Sequence, residues 1–186
     1  NGLATDGAND TTISGVISGA GGVVHNGAGM LTLSNDNTYT GDTTVNAGTL
    51  NLAGSVDGDV ALAGGTLGLF NDNAIATGQM LNVNGGTLLS DDDARTIANG
   101  VNVGGDFTVD ASNDLTLTGD VDLTGDTRSV TVNPSFLTLS GVISNGGLTK
   151  DGAGTLVLSG TNTFTGPLTV SAGQVNLNNG AAVADT

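Results

Sequence analysis

Residues 27–52 read GAGMLTLSNDNTYTGDTTVNAGTLNL, and residues 152–177 read GAGTLVLSGTNTFTGPLTVSAGQVNL. The two stretches align without a gap at an offset of 125 residues, and 16 of the 26 positions are identical. After a one-residue slip the similarity continues upstream, where ISGVIS at 13–18 matches LSGVIS at 139–144. An internal repeat of this length indicates a stacked architecture such as a solenoid.

Short runs within both copies alternate apolar and polar side chains with a period of two. Such alternation predicts β-strands that point apolar side chains inward and Thr, Asn or Asp outward. The clearest runs are Leu31–Leu33, Thr43–Val45, Leu50–Leu52, Leu156–Leu158, Leu168–Val170 and Val175–Leu177. No segment has an apolar stripe of helical period, so we expect no α-helix beyond one turn near residues 91–98.

Weaker echoes of the repeat fill the middle of the chain and set the length of one coil. Glycines 48, 65, 86 and 105 mark equivalent points, separated by 17, 21 and 19 residues. A spacing near 20 predicts a parallel β-helix of eight or nine coils. Gly48 and Gly173 each lie between two strands, where we expect the chain to need a positive φ that favours glycine. We also expect Asn37 and Asn162, which share a repeat position, to form amide ladders between coils.

The domain organisation follows from the repeat. We expect a single β-helix segment over residues 1–186 that is part of a longer chain, with full repeats at 13–54 and 139–179 and degenerate coils between them. Residues 70–100 depart most from the repeat, and we expect residues 70–80 within them to protrude as a loop. Because loops carry function more often than strands, a ligand-binding patch is expected between residues 70 and 100.

Composition excludes several classes of protein. The chain has 18 acidic residues and 3 basic residues, for a net charge of −15. Nucleic acids and anionic lipid surfaces are therefore not expected partners, because both need clustered Lys and Arg. The absence of cysteine excludes a disulfide framework and is compatible with export. No apolar run is long enough to cross a membrane, so we expect no membrane insertion by this segment.

The sequence predicts no catalytic residue. His25 is the one histidine, and we expect it to be a solvated residue of the turn at 23–27. No serine lies in a nucleophile-elbow motif, and there is no second histidine to complete a catalytic triad. The enzyme alternative is a β-helix polysaccharide lyase or hydrolase built on Asp91, Asp92, Asp93 and Arg95. These residues are contiguous, so alternate ones face opposite ways in an extended chain, and the five aromatic residues include no Trp to support a sugar.

The acidic turns make calcium the cofactor to consider. Oxygen ligands for a hard cation, stacked from adjacent coils, would come from Asn35–Asn37, Asn71–Asn73 and Asp91–Asp93. The glycine-rich nonapeptide of calcium-binding β-rolls is missing, however. We therefore predict no metal site, no cofactor-binding residue and no cofactor.

The two full copies resemble the autotransporter-associated β-strand repeat. The resemblance rests on Gly-Ala-Gly, Leu-x-Leu-Ser, Asn-Thr-(Tyr/Phe)-Thr-Gly, Thr-Val and Ala-Gly-x-(Leu/Val)-x-Leu. The first copy departs from the pattern at Asn35, where the second copy has Gly160. The resemblance implies a passenger segment of a type V secreted protein of a Gram-negative bacterium, folded as a right-handed β-helix and placed outside the cell or at the outer-membrane surface.

Three functional hypotheses follow. The first is a non-catalytic structural or adhesive scaffold whose partners are neighbouring β-helix segments and a host-surface or matrix ligand. The second is an extracellular filament subunit that stacks head to tail on an identical chain through open solenoid ends. The third is the polysaccharide lyase.

Overall fold

A computed structural model describes residues 2–90, 93–110 and 113–178. These residues contain 24 β-strands and no helix, and all strand pairs are parallel. The prediction of an all-β parallel solenoid is confirmed. The predicted helical turn near residues 91–98 is wrong, because Arg95–Ile97 forms a strand that pairs with Leu115–Leu117.

The strands form three faces that run the length of the solenoid. Face 1 consists of β1 (Leu3–Thr5), β4 (Val23–His25), β7 (Thr43–Val45), β9 (Val60–Leu62), β11 (Met80–Val83), β14 (Gly100–Val103), β17 (Val121–Asp122) and β20 (Ile143–Ser144). Face 2 consists of β2 (Thr11–Ile13), β5 (Met30–Leu33), β8 (Thr49–Leu52), β10 (Thr66–Leu69), β12 (Thr87–Ser90), β15 (Phe107–Asp110), β18 (Thr127–Asn133), β21 (Gly147–Asp151) and β23 (Leu168–Val170).

Face 3 is the least regular of the three. It begins with β3 (Ser18–Gly19) and β6 (Thr38–Tyr39), and continues through an isolated pairing of Val56 with Ile75. It ends with the sheet of β13 (Arg95–Ile97), β16 (Leu115–Leu117), β19 (Phe136–Leu139), β22 (Thr155–Leu158) and β24 (Gln174–Leu177). The nine strands of face 2 correspond to nine coils, within the predicted number. Right-handedness remains a prediction.

A narrow apolar column fills the interior. On face 2, Leu31, Leu50, Leu67, Leu88 and Val109 are register partners in successive coils, and each is at most 1% exposed. Each coil thus contributes only a few buried side chains, so its stability depends on the coils above and below it, as in other solenoids.

Glycine makes the close stacking possible at the corner between faces 1 and 2. Gly48, Gly65 and Gly86 have φ values of 60°, 66° and 76°, which L-residues rarely adopt. A Cβ on Gly65 would lie 2.5 Å from the carbonyl oxygen of Gly48, and one on Gly86 would lie 2.6 Å from that of Gly65. The spacing of these glycines in the sequence therefore reflects a column of corners in contact. Gly105 lies at the same corner without a positive φ.

The two copies of the repeat lie on different faces. Strands β4 and β7 of the first copy are on face 1, whereas their counterparts β21 and β23 are on face 2. Likewise β5 and β8 are on face 2, and their counterparts β22 and β24 are on face 3. From β4 the chain makes six turns to reach β20 and then advances one more face to β21. The offset of 125 residues is therefore six turns and one face.

Polar side chains link coils, though not where the sequence analysis placed the ladder. The prediction for Asn37 is wrong, because its amide bonds to backbone: Oδ1 accepts from Ile17 N at 2.9 Å, and Nδ2 donates to Ser55 O at 3.2 Å. Asn162 Oδ1 accepts from Ile143 N at 2.9 Å in the same way. Side-chain ladders occur instead on the outer surface. They join Asp6, Asn26 and Asn46 at 2.7 Å each, and Asn82 and Asn102 at 2.9 Å.

Candidate functional site

The histidine is an interior residue, and the prediction that it is solvated is wrong. His25 is 2% exposed because it is the second inward-facing position of β4, after Val23. Its Nε2 lies 3.0 Å from the carbonyl oxygen of Gly29, which accepts only, so Nε2 carries the proton. Its Nδ1 then accepts from the hydroxyl of Thr5 at 2.8 Å. The Nδ1 bond links His25 to the preceding coil, and the Nε2 bond lies within its own coil.

Lys150 occupies the same repeat position in the second copy, 125 residues later. It is fully buried, and its ammonium donates to the carbonyl oxygens of Asp151, Gly152 and Ala172 at 2.7, 2.9 and 3.2 Å. Burial lowers the pKa of this ammonium below its ordinary value of 10.5, and the Asp151 carboxylate opposes that shift. His25 and Lys150 are thus equivalent buried donors beneath the positive-φ glycines 48 and 173.

A second polar pair inside the first copy has an apolar counterpart in the second. Tyr39 and Thr43 are fully buried, and their hydroxyls are hydrogen-bonded to each other. Burial raises the pKa of Tyr39 to about 12, although the bond with Thr43 lowers it. The equivalent residues of the second copy are Phe164 and Leu168. Both hydroxyls are absent together there, so no polar atom of the pair is left without its partner.

Seven of the 18 carboxylates have a structural role that the sequence analysis missed. Each of seven aspartates accepts a backbone N–H from the next coil, 19 to 24 residues ahead, at 2.8 to 3.3 Å. They are Asp10, Asp36, Asp59, Asp72, Asp106, Asp114 and Asp120. A carboxylate receives a stronger hydrogen bond than a neutral acceptor does. The signal in the sequence is an aspartate at a corner about one coil before a strand begins.

Two of the three acidic turns considered for calcium contain an aspartate with this role. Asp36 accepts from Ser55 N at 3.0 Å, and Asp72 accepts from Thr96 N at 3.0 Å. Across residues 2–90, 93–110 and 113–178, no three His, Cys, Asp or Glu side chains converge as a metal site would require. Asp91 and Asp92 lie outside the described residues.

The acid cluster of the lyase hypothesis is only partly described. Asp93 and Arg95 form an ion pair at 3.4 Å, with the Asp93 side chain 80% exposed and the Arg95 side chain 18% exposed. Arg95 begins β13, so the pair lies at the corner where face 3 starts in that coil. An exposed ion pair of this kind contributes little to stability.

A cleft lies at the corner between faces 3 and 1, beside the segment that departs from the repeat. It has a volume of about 210 Å³ and is lined by Asp72, Asn73, Ile75, Thr77, Gly78, Gln79, Met80, Ala98, Asn99 and Gly100. Within residues 70–80, Ala74 and Ile75 are buried in the core, while Thr77 and Gly78 are exposed. Asn99 of the following coil holds this turn, since its Nδ2 donates to the carbonyl oxygens of Ala76 and Gln79, both at 2.9 Å.

The described part of the chain contains no helix with the length and apolar character to span a bilayer.

Comparison with known proteins identifies the repeat. The family model of the passenger-associated transport repeat matches residues 23–52 and 148–177. These ranges include the β4–β8 and β21–β24 segments that lie one face apart. No solved structure matches the chain at a significant level.

Relatives among well-characterised proteins are autotransporters. The chain is 36% identical over 147 residues to the adhesin BmaC autotransporter of Brucella suis biovar 1, which covers 78% of the chain and 4% of BmaC. It is 34% identical over 99 residues to the Neisserial autotransporter lipoprotein NalP of Neisseria meningitidis serogroup B, which covers 53% of the chain and 9% of NalP. The chain thus spans a small fraction of the length of these relatives. It is a β-solenoid segment of the autotransporter passenger type, surface-displayed or secreted by a Gram-negative bacterium, with two copies of the passenger-associated transport repeat.

Proposed function

We propose that this segment is a non-catalytic scaffold that holds adhesive surface away from the bacterial cell. The observation that carries the proposal is the use of its reactive side chains between coils. His25, Lys150 and seven turn aspartates all make hydrogen bonds within their own coil or to an adjacent coil. These bonds stiffen the rod, and the two interior groups, His25 and Lys150, are buried away from any external substrate.

The relative that is described as an adhesin supports the adhesive part of the proposal. The similarity to BmaC extends over 147 of the 186 residues, so it includes middle coils of the solenoid. We propose two kinds of partner: neighbouring β-helix segments, and a ligand on a host surface or in the extracellular matrix. With a net charge of −15, such a ligand is not expected to be a nucleic acid.

The experiment is a binding and cleavage test with the purified chain. Beads coated with the chain are expected to adhere to epithelial monolayers or matrix-coated plates more than beads coated with a solenoid of equal charge and unrelated sequence. In parallel, the chain is incubated with soluble polysaccharide and peptide panels. Adhesion equal to that of the control beads would remove the adhesive role, and cleavage of any panel member would overturn the non-catalytic assignment.

A head-to-tail filament subunit, in which identical chains stack end to end, is the second candidate. The parallel pairing of successive coils favours it, because a coil of another chain offers the same backbone groups for pairing. Electron microscopy over a concentration series tests this candidate. Fibres one solenoid wide are expected if the ends stack, whereas short rods at every concentration would exclude it.

A further inference from the structure

The cleft between faces 3 and 1, here called the corner cleft, has polar side chains that the fold does not use. Across the described residues, the side chains of Asn73, Thr77 and Gln79 make no hydrogen bond with the protein. Asp72 uses Oδ1 to accept from Thr96 N, which leaves its second carboxylate oxygen available. The residues that line this small cleft therefore include two amides, a hydroxyl and a carboxylate oxygen with hydrogen-bonding capacity to spare.

The floor of the corner cleft is apolar and rigidly held. Ile75 is 2% exposed and pairs with Val56 across coils, and Met80 begins strand β11 beside it. Gly100 lies under the Met80 side chain, where a Cβ would be 2.9 Å from the Met80 methyl carbon. The missing side chain at Gly100 therefore gives Met80 its place along the floor.

The turn that carries the free polar groups is also preorganised. Asn99 is 7% exposed and donates to two carbonyl oxygens of the turn, and Met80 N donates to Asp59 Oδ1 at 2.8 Å. A ligand that binds here would not have to order the loop first, which would otherwise reduce its affinity.

Size and charge restrict what the corner cleft can hold. Pockets for drug-sized ligands have volumes of roughly 300–1,000 Å³, so a cleft of about 210 Å³ suits a smaller group. Asp72 is the one charged residue in the lining, which disfavours anionic ligands. An apolar floor edged by neutral hydrogen-bonding groups matches a pyranose ring, which has C–H faces and hydroxyl edges.

We propose that the corner cleft binds one neutral sugar unit of a larger glycan. This inference rests on the proposed adhesive function and names the chemical class of its ligand. The free amides of Asn73 and Gln79 and the hydroxyl of Thr77 bind sugar hydroxyls, and the remaining Asp72 oxygen accepts from one of them. Met80, which lies beside the buried Ile75, contacts the C–H face of the ring.

The test is heteronuclear NMR on the isotope-labelled chain, titrated with the methyl glycosides of glucose, galactose, mannose and N-acetylglucosamine. At least one glycoside is expected to shift the backbone amides of Gln79 and Gly100 in a saturable manner, with Kd in the millimolar range. Gln79→Ala is expected to weaken that binding by about tenfold, the effect of one lost hydrogen bond.

Thr77→Ala is a second variant, at an exposed position that makes no bond in the described fold. Gln174→Ala, at an exposed glutamine in β24, is the matched control and is expected to bind like the parent chain. Absence of saturable shifts with all four glycosides, shifts confined to other coils, or unchanged binding by both Gln79→Ala and Thr77→Ala would overturn the assignment. The bead assay is independent of these results, so adhesion without sugar binding would refute the corner cleft alone.

Discussion

Replacement of Gly65 by alanine tests whether the glycine column at the corner between faces 1 and 2 sets the coil spacing. Gly65 has a φ of 66°, and a Cβ there would lie 2.5 Å from the carbonyl oxygen of Gly48. Rotating a side chain relieves neither the positive φ nor the close contact, because the first belongs to the backbone of residue 65 and the second is with backbone of the neighbouring coil. The variant Gly65→Ala must therefore change the backbone conformation or push two coils apart.

The expected cost comes from three effects. A left-handed conformation costs an L-residue about 1–2 kcal/mol, and an added carbon in a close-packed site costs about 1–3 kcal/mol. Alanine also restricts the unfolded chain, which returns about 0.4–1 kcal/mol. We expect the free energy of unfolding of Gly65→Ala to fall by about 1–5 kcal/mol.

The assay is urea unfolding followed by far-ultraviolet circular dichroism, with Gly15→Ala as the matched control. A Cβ on Gly15 would meet nothing within 4 Å, and Gly15 has no positive φ. The control is therefore expected to unfold at the urea midpoint of the parent chain or slightly above it. Equal midpoints for Gly65→Ala and Gly15→Ala would refute the argument that contact between corner glycines determines the stacking distance.

Three further predictions concern the buried and bridging polar groups. Because the folded-state pKa of Tyr39 is about 12 against an ordinary value of 10.0, the folded state holds the proton more tightly. Its stability contribution is complete below pH 10 and decreases by about 2–3 kcal/mol as the pH rises through 12. In unfolding titrations, the free energy of unfolding of Tyr39→Phe should not fall in this way above pH 10. At pH 7 the double variant Tyr39→Phe/Thr43→Leu should be more stable than Tyr39→Phe alone. His25→Lys should unfold within about 1 kcal/mol of the parent chain, whereas His25→Leu should lose about 1–3 kcal/mol in the same urea assay; equal losses would contradict the equivalence of the two buried donors. Asp106→Ala should lower the free energy of unfolding by about 1–2 kcal/mol and Asp106→Asn by less, because Asn keeps an acceptor oxygen; identical losses would show that the carboxylate oxygen does not bridge coils.

The parts of the fold that depend on local pattern were predictable. Alternation of apolar and polar residues located the strands of both repeat copies, and the glycine spacing gave the coil length. The same alternation also contained the signal for His25, which follows Val23 at the inward-facing position of its strand. Because histidine is polar, it was predicted to be solvated. A polar side chain can be buried when it has hydrogen-bond partners, and Thr5 and Gly29 supply them for His25.

The features that the sequence did not reveal depend on the lengths of many coils added together. Whether a strand lies on face 1 or face 2 is fixed by every preceding coil, including the degenerate ones around Val56 and Ile75. The bonds from turn aspartates to the next coil likewise connect residues 19 to 24 positions apart, and that separation varies from coil to coil. The corner cleft was only approached by sequence reasoning, which pointed to residues 70–100 and did not bring Asn99 and Gly100 beside Gln79.

The displacement of the second repeat copy by one face has a consequence for how such a protein changes by duplication. A duplicated block whose length is a whole number of turns would place its new surface residues directly above the old ones. A block of six turns and one face places them on a different side of the rod, as β5 and β22 show. A surface substitution inherited by both copies therefore faces two directions, and further duplications with the same offset would distribute it around the circumference. Gene duplication alone would then convert a ligand site on one side of the molecule into one that is reachable from all sides.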